Sequence, residues 1–246
     1  MDQAYTREYE QFEQRHWWFV ARREIIFDAI DGALAGVAKA RWLDVGCGTG
    51  VLLSAYDRVP ADRKVGLEMD GQSVSLARSR GLDVRQVDAA SGWDLAPLGP
   101  FNLVTACDVI EHVEHDRPAV DAMHAALAPG GHALVTVPAL MGLWSGHDVV
   151  NHHYRRYTRP SLLALFPPDR WDVVKATYFS SLLLPMVWAA RKVNNLRGGT
   201  PQHDLSFGPA WRDRALLAIF RAERPWVRWT SFPLGSSLLV LARRRA

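Results

Sequence analysis

The segment Leu43-Asp44-Val45-Gly46-Cys47-Gly48-Thr49-Gly50 (LDVGCGTG) decides how this chain is read. An apolar run stops at three alternate glycines, and the helix-compatible stretch Val51–Tyr56 follows. Glycines allow a sharp backbone turn and close approach to a ligand. The dinucleotide fingerprint needs its third small residue one place later, where this chain has Val51. No lysine follows, as a phosphate-cradling loop requires. The pattern suits a nucleoside ligand without a pyrophosphate; taken alone, it would also serve a tight structural turn.

Working outward, strands and helices alternate. Arg41–Val45 reads as the first strand and Lys64–Glu68 as the second. Gln72–Arg80 reads as a helix closed by Gly81, and Leu82–Val87 as a third strand ending at Asp88. Phe101–Cys107 is a fourth strand, Pro118–Leu127 a helix, and His132–Val137 a fifth strand after Pro129-Gly130-Gly131. Upstream, the spacing predicts one aromatic-rich helix from about Thr6 to Leu34. Downstream come a helix capped by Thr158, an apolar run Trp171–Phe179, amphipathic helices near 181–196 and 211–224, and a final strand Ser237–Ala242. Arg197–Pro201 reads as an exposed linker. This rhythm predicts an α/β fold, a parallel sheet with helices on both faces and ligands at the carboxyl ends of its strands.

Acids stand at those ends. Glu68 can accept both ribose hydroxyls, and Met69 offers an apolar face for an adenine. Asp88 can accept from an adenine amino group, and Asp108 ends the fourth strand. Any one of them could be a helix N-cap. Together, beside a glycine loop, they are hard to explain as caps alone.

The motifs LDVGCGTG (43–50), VGLEMD (65–70), VDAA (87–90), CDVIEHVEH (107–115) and LAPGGHALVTVP (127–138) resemble those of the class I S-adenosylmethionine-dependent methyltransferases, in the small-molecule, type 11/23-like branch. The resemblance covers roughly the first 60% of the chain, in order and spacing. It implies a Rossmann-like, seven-stranded, mostly parallel sheet whose last strand is antiparallel. It implies S-adenosyl-L-methionine as cofactor and S-adenosyl-L-homocysteine as product, bound by Asp44, Gly46, Cys47, Gly48, Glu68, Met69, Asp88, Ala89 and Asp108. HWWFVARRE (16–24) resembles a lid helix of one bacterial subgroup, bringing Trp18 and Arg22 to the cofactor. A single domain is expected over 1–246: a lid or docking helix (1–35), a cofactor core (36–138), an acceptor-side loop and helices (139–236), and the last strand (237–246).

Composition narrows the setting. At 246 residues and 48% hydrophobic, the chain can bury a large core. No apolar run approaches the roughly 20 residues of a spanning helix, and the acidic, aromatic N-terminal stretch is not expected to act as a signal peptide. Two cysteines make no disulfide framework, so a cytoplasmic setting is expected. Residues 1–138 carry 13 Lys and Arg against 20 Asp and Glu, whereas 139–246 carry 16 against 6. The basic tail, with Trp188, Trp211, Trp226 and Trp229, suits ordinary packing, a homodimer contact, a lipid-like acceptor or peripheral contact with the inner membrane face. Nucleic acid is not an expected partner.

The run SGHDVVNHHYRRYT (145–158) should arch over the open end of the sheet. His147, Asp148 and His152 are its acid/base candidates, and Arg155 and Arg156 its anion-binding candidates. Tyr157 and His112 complete the expected acceptor side, and no metal is expected. The anticipated reaction moves a methyl group to an oxygen, nitrogen or carbon of a small molecule. Alternatives are a membrane-surface methyltransferase of lipid-linked or isoprenoid metabolism, and a cofactor-binding partner protein without transfer activity.

Overall fold

The computed structural model describes residues 3–88, 93–196 and 207–245. Ala89 and the expected linker at 197–201 lie outside the described residues. The strands are β1 (Ala40–Val45), β2 (Ala61–Glu68), β3 (Asp83–Gln86), β4 (Phe101–Cys107), β5 (Leu127–Pro138), β6 (Trp171–Phe179) and β7 (Ser237–Arg244). They form a seven-stranded sheet in the order β3-β2-β1-β4-β5-β7-β6. β1 to β5 pair in parallel, while β7 runs antiparallel to both β5 and β6. The strand order reverses between β1 and β4, the switch point where an open α/β sheet forms its ligand crevice.

Burial on both faces explains the near-continuous apolar runs of the central strands. On one face Val104, Val135 and Val240 meet Val120, Met123 and Phe166. On the other Trp42, Leu134 and Leu239 meet Ile26, Ile30 and Phe220. Trp42 is 1% exposed, and its indole N–H donates to Thr105 Oγ1 at 2.8 Å, so the bulkiest side chain of β1 carries no polar debt into the core.

The aromatic N-terminal segment is not one helix. α1 (Gln3–Arg15) and α2 (Trp17–Ala33) are separated by His16, which adopts extended backbone (φ −67°, ψ 134°) and caps α2 by accepting from Trp18 N–H at 3.4 Å. The break lets α2 press Ile25, Ile26 and Ile30 into the core while α1 folds back over α3 (Val51–Ala55) and α4 (Gly71–Ser79). Periodicity does not reveal this break, because both halves are aromatic and apolar on one face.

The remaining helices are α5 (Asp116–Ala126), α6 (Gly146–Val150), α7 (Arg159–Leu163), α8 (Leu184–Leu196) and α9 (Ala210–Trp229). α7 begins at the expected cap, Thr158, whose hydroxyl accepts from Ser161 N–H. α9 is longer than its pattern suggests and continues through Pro225. From it Glu223, wholly buried, accepts backbone N–H bonds from Ser180, Ser181 and Leu182 and so fixes the exit of β6. Among the described residues, no helix is long and apolar enough to cross a membrane.

Orphaning a buried N–H costs about 1–3 kcal/mol. Glu223→Ala should therefore lower unfolding free energy by at least about 2 kcal/mol in urea titrations. Trp211→Ala, at a side chain 72% exposed, should stay within about 0.5 kcal/mol of the parent.

Candidate active site

The glycine loop leaves β1 at the switch point. Gly50 caps α3 with φ 79°, and a Cβ there would lie 2.5 Å from Leu82 Cδ1, so the turn is pressed onto its neighbours. Gly48 N–H donates to Glu68 Oε2 at 2.9 Å, while Glu68 Oε1 accepts from Met69 N–H at 2.8 Å and Asp70 N–H at 2.9 Å. Three backbone donors thus aim this carboxylate at the mouth of the crevice. Met69 beside it is exposed. Asp44 is 2% exposed and accepts from Thr105 Oγ1, and burial pushes its carboxyl up to about 7. Burial also raises both thiols, Cys107 to about 12 and Cys47 further, so neither is a ready nucleophile. Asp88 sits exposed just beyond β3.

Arg22 of α2 crosses to the ends of two strands. Its guanidinium lies 2.8 Å from Asp108 Oδ2, donates to Thr136 Oγ1 at 2.9 Å and covers the Trp18 ring at 5.2 Å. Burial opposes its charge, but Asp108 outweighs that and holds its pKa above the usual arginine value. Asp108 has φ 58°, a left-handed turn that brings its carboxylate back beneath the arginine.

Beside this pair opens a cleft of about 500 Å³ between α2, α8 and the 139–158 loop. Trp17, Trp18, Phe19, Met186 and Val187 supply apolar wall, and Glu111, His112, His147 and His153 supply polar surface. Glu111 is fully buried, and neither carboxylate oxygen has a hydrogen-bond partner. Burial and the nearby charge of Asp108 push its pKa well up. Desolvation and His153 push His112 down to about 4. Glu111, His112 and His153 bring ligand atoms within 4.8 Å of one another, a donor set open to a divalent cation where no metal was expected; from the sequence, Glu111 and His112 suggest such a cluster only with His115, and the structure supplies His153 instead.

Several expectations for the loop need correction. Asp148 is fully buried within an ion cluster: Arg156 Nε and Nη2 donate to its two oxygens at 2.8 and 3.0 Å, and Ser145 N–H donates at 2.9 Å. Burial pushes its carboxyl up, but His153 and Arg156 outweigh this and hold it below the usual carboxylate range. So weak and enclosed a base cannot take a proton from an acceptor. Arg156 reaches the cleft wall but is committed to Asp148 and to the Ala139 carbonyl. Arg155 pairs with Asp116 at 3.0 Å and donates to the Glu114 carbonyl, rather than facing an acceptor. Tyr157 is 2% exposed, and its hydroxyl donates to Asp116 at 2.8 Å inside the core. His152 is exposed at a turn with φ 56° and does not line the cleft, whereas His147 does.

The residue that sequence reasoning missed is His153. Its Nδ1 lies 2.9 Å from Asp148 Oδ1, and its ring lines the cleft 4.6 Å from that of His112. The tandem His152-His153 was the available signal. Which of the two turns inward depends on the left-handed residue at 152.

A family model described as "Methyltransferase domain" matches residues 11–171. The chain belongs to this methyltransferase family. The ubiquinone biosynthesis O-methyltransferase of Pseudomonas paraeruginosa is 28% identical over 166 residues, covering 58% of this chain and 71% of that one. In fold, the methyltransferase complexed with the Trm112 activator of Haloferax volcanii superposes with TM-score 0.61 at 17% identity, over 99% of this chain and 95% of that one. The N-methyltransferase NodS of Bradyrhizobium japonicum, solved with S-adenosyl-L-homocysteine, gives 0.55 at 13% identity, over 96% and 91%. The protein is an S-adenosylmethionine-dependent methyltransferase of the class I fold. The residues present fit that cofactor: a backbone cradle at Gly48, an oriented carboxylate at Glu68, and a buried guanidinium at Arg22.

Removing one partner of a buried ion pair costs about 3–5 kcal/mol. In this methyltransferase Arg156→Ala should lower stability by that amount in urea titrations, while Arg155→Ala, at a half-exposed pair, should cost about 1 kcal/mol or less.

Proposed function

We propose that this methyltransferase methylates a hydroxyl oxygen of a small, ring-bearing, lipid-like acceptor held in the aromatic cleft. The cofactor supplies a methyl group already activated on a sulfonium. Glu68 accepts from the ribose hydroxyls, Met69 covers the adenine, and Asp88 meets the adenine edge. Arg22 takes the cofactor carboxylate, with Asp44, Asp108 and the Gly46-Cys47-Gly48 backbone around the methionyl end. Trp17, Trp18 and Phe19 exclude water and align the acceptor.

The observation that carries the choice of oxygen is the relay Arg156–Asp148–His153. A hydroxyl is a weak nucleophile until its proton is removed, whereas an amine needs less help. With Nδ1–H donated to Asp148, the imidazole keeps its lone pair on Nε2, on a ring that borders the cleft. Asp148 is locked by Arg156, so it orients the imidazole and takes no proton itself. His147, whose ring lies 6.2 Å from His153, can contact the acceptor. The O-methyltransferase name of the bacterial relatives supports oxygen, and the apolar wall of the cleft supports a lipid-like acceptor.

A labelled-cofactor screen of phenolic and prenylated acceptors should yield a methyl ether. His153→Ala should then lower kcat by about 10²–10⁴-fold with calorimetric cofactor affinity unchanged. An N- or C-methylated product, or undiminished turnover, would refute the assignment.

Work at a membrane surface is a second reading, carried by the tail. Trp188, Trp211, Trp226 and Trp229 are 52–79% exposed among arginines. α9 is amphipathic, as an interfacial helix requires. Co-sedimentation with anionic vesicles should occur and should weaken in Trp211→Ala/Trp229→Ala. Protein left in the supernatant, or a salt-independent dimer occupying that surface in sedimentation, would overturn it.

A further inference from the structure

α1 contributes a residue that neither the glycine-loop motifs nor the aromatic motif at 16–24 includes. Glu13 projects from it onto the glycine loop. Thr49 Oγ1, fully buried, donates to Glu13 Oε2 at 2.5 Å, and Glu13 Oε1 is the atom nearest the missing side chain of Gly48, at 3.0 Å from where a Cβ would stand. The helix is fastened on both sides of this contact. Glu10 pairs with Arg80, whose Nε donates to the Thr49 carbonyl at 3.0 Å. Arg23 Nη1 donates to the Glu13 carbonyl at 2.7 Å. α1 thus lies as a strap across the loop, touching α2, α3 and α4.

The charges around Glu13 do not balance. Asp44, Glu68 and Arg22 all act on it electrostatically or share its field. Arg22 is already matched by Asp108. Burial, opposed by the Thr49 bonds and Arg22 and reinforced by Glu68, pushes the Glu13 carboxyl up to about 7, as burial does Asp44. Buried carboxyls of this kind hold a proton until a cation takes its place. Glu13 is within electrostatic reach both of Glu68, the group assigned to the ribose, and of Arg22, the group assigned to the cofactor carboxylate. Between those two ends the cofactor carries its sulfonium and its α-ammonium.

We propose that α1 is a cofactor strap and that Glu13 is the carboxylate that reads the positively charged methionyl end of the cofactor, with Thr49 as its positioning residue. This rests on the proposed cofactor site. Because Glu13 must shed a proton to meet the cation, binding should strengthen as pH rises towards 7. Asp44 follows the same sign, while Arg22, Arg23 and Arg80 stay charged throughout and Glu10 is held by Arg80.

The test is calorimetry of the full chain with S-adenosylmethionine and with 5′-methylthioadenosine, which lacks the ammonium and the sulfonium. Glu13→Gln keeps size and hydrogen bonding. It should weaken S-adenosylmethionine roughly 10–100-fold, as loss of a charge-assisted contact does, and leave methylthioadenosine within about twofold. Between pH 5.5 and 7 the variant should take up the cofactor with about one proton less released than the parent. Glu10→Gln, on the same strap, should leave the ratio of the two affinities unchanged. Equal weakening of both ligands by Glu13→Gln would mark a merely structural helix and overturn the proposal, as would no change in either. Glu68→Ala separates the two levels. If it abolishes binding of both ligands while Glu13→Gln does nothing, only the strap fails. If Glu68→Ala also binds normally, the cofactor site itself is misplaced.

Discussion

The contact between the buried Arg22 and the partly exposed Asp108 joins the aromatic helix to the strand ends. It ties α2 to the ends of β4 and β5, and in doing so places the aromatic wall of the cleft beside the strand ends. A guanidinium withdrawn from water is tolerated only with a matched anion and further acceptors. Asp108 and Thr136 supply both, and the left-handed turn at Asp108 is the conformational cost of bringing that carboxylate underneath.

Two charged clusters flank that contact, and they differ in kind. Around Asp148 the charges are closed on themselves: arginine, histidine and a backbone donor satisfy one fully buried carboxylate. Such a cluster gives rigidity to a polar loop that has few apolar residues with which to pack. Around the glycine loop the carboxylates outnumber their cations, and burial keeps two of them near neutrality. A closed cluster positions; an open one waits for a ligand.

The parallel sheet and the glycine loop were legible in the sequence because each rests on local rules: apolar runs of strand length, glycines where a turn is tight, acids where strands stop. The loop at 145–158 was legible only as a place. Its residue types suggested acid/base work and anion binding, yet Asp148, Arg155, Arg156 and Tyr157 turned out to spend those capacities on one another and on Asp116. Composition shows what a side chain can do, and pairing decides what remains available.

The sequence by itself determined a parallel α/β sheet with a glycine loop and acids at its strand ends, since strand alternation and turn chemistry act over a few neighbouring residues; the seven strands and the antiparallel last one followed from the resemblance of its motifs to class I methyltransferases. Only the tertiary structure decided that the N-terminal segment breaks at His16, that α1 brings Glu13 onto Thr49, 36 positions away, and that His153 rather than His152 faces the cleft. These depend on which surfaces meet across the sheet and on the burial that results. Desolvation is a property of the packed whole, and no window of sequence contains it.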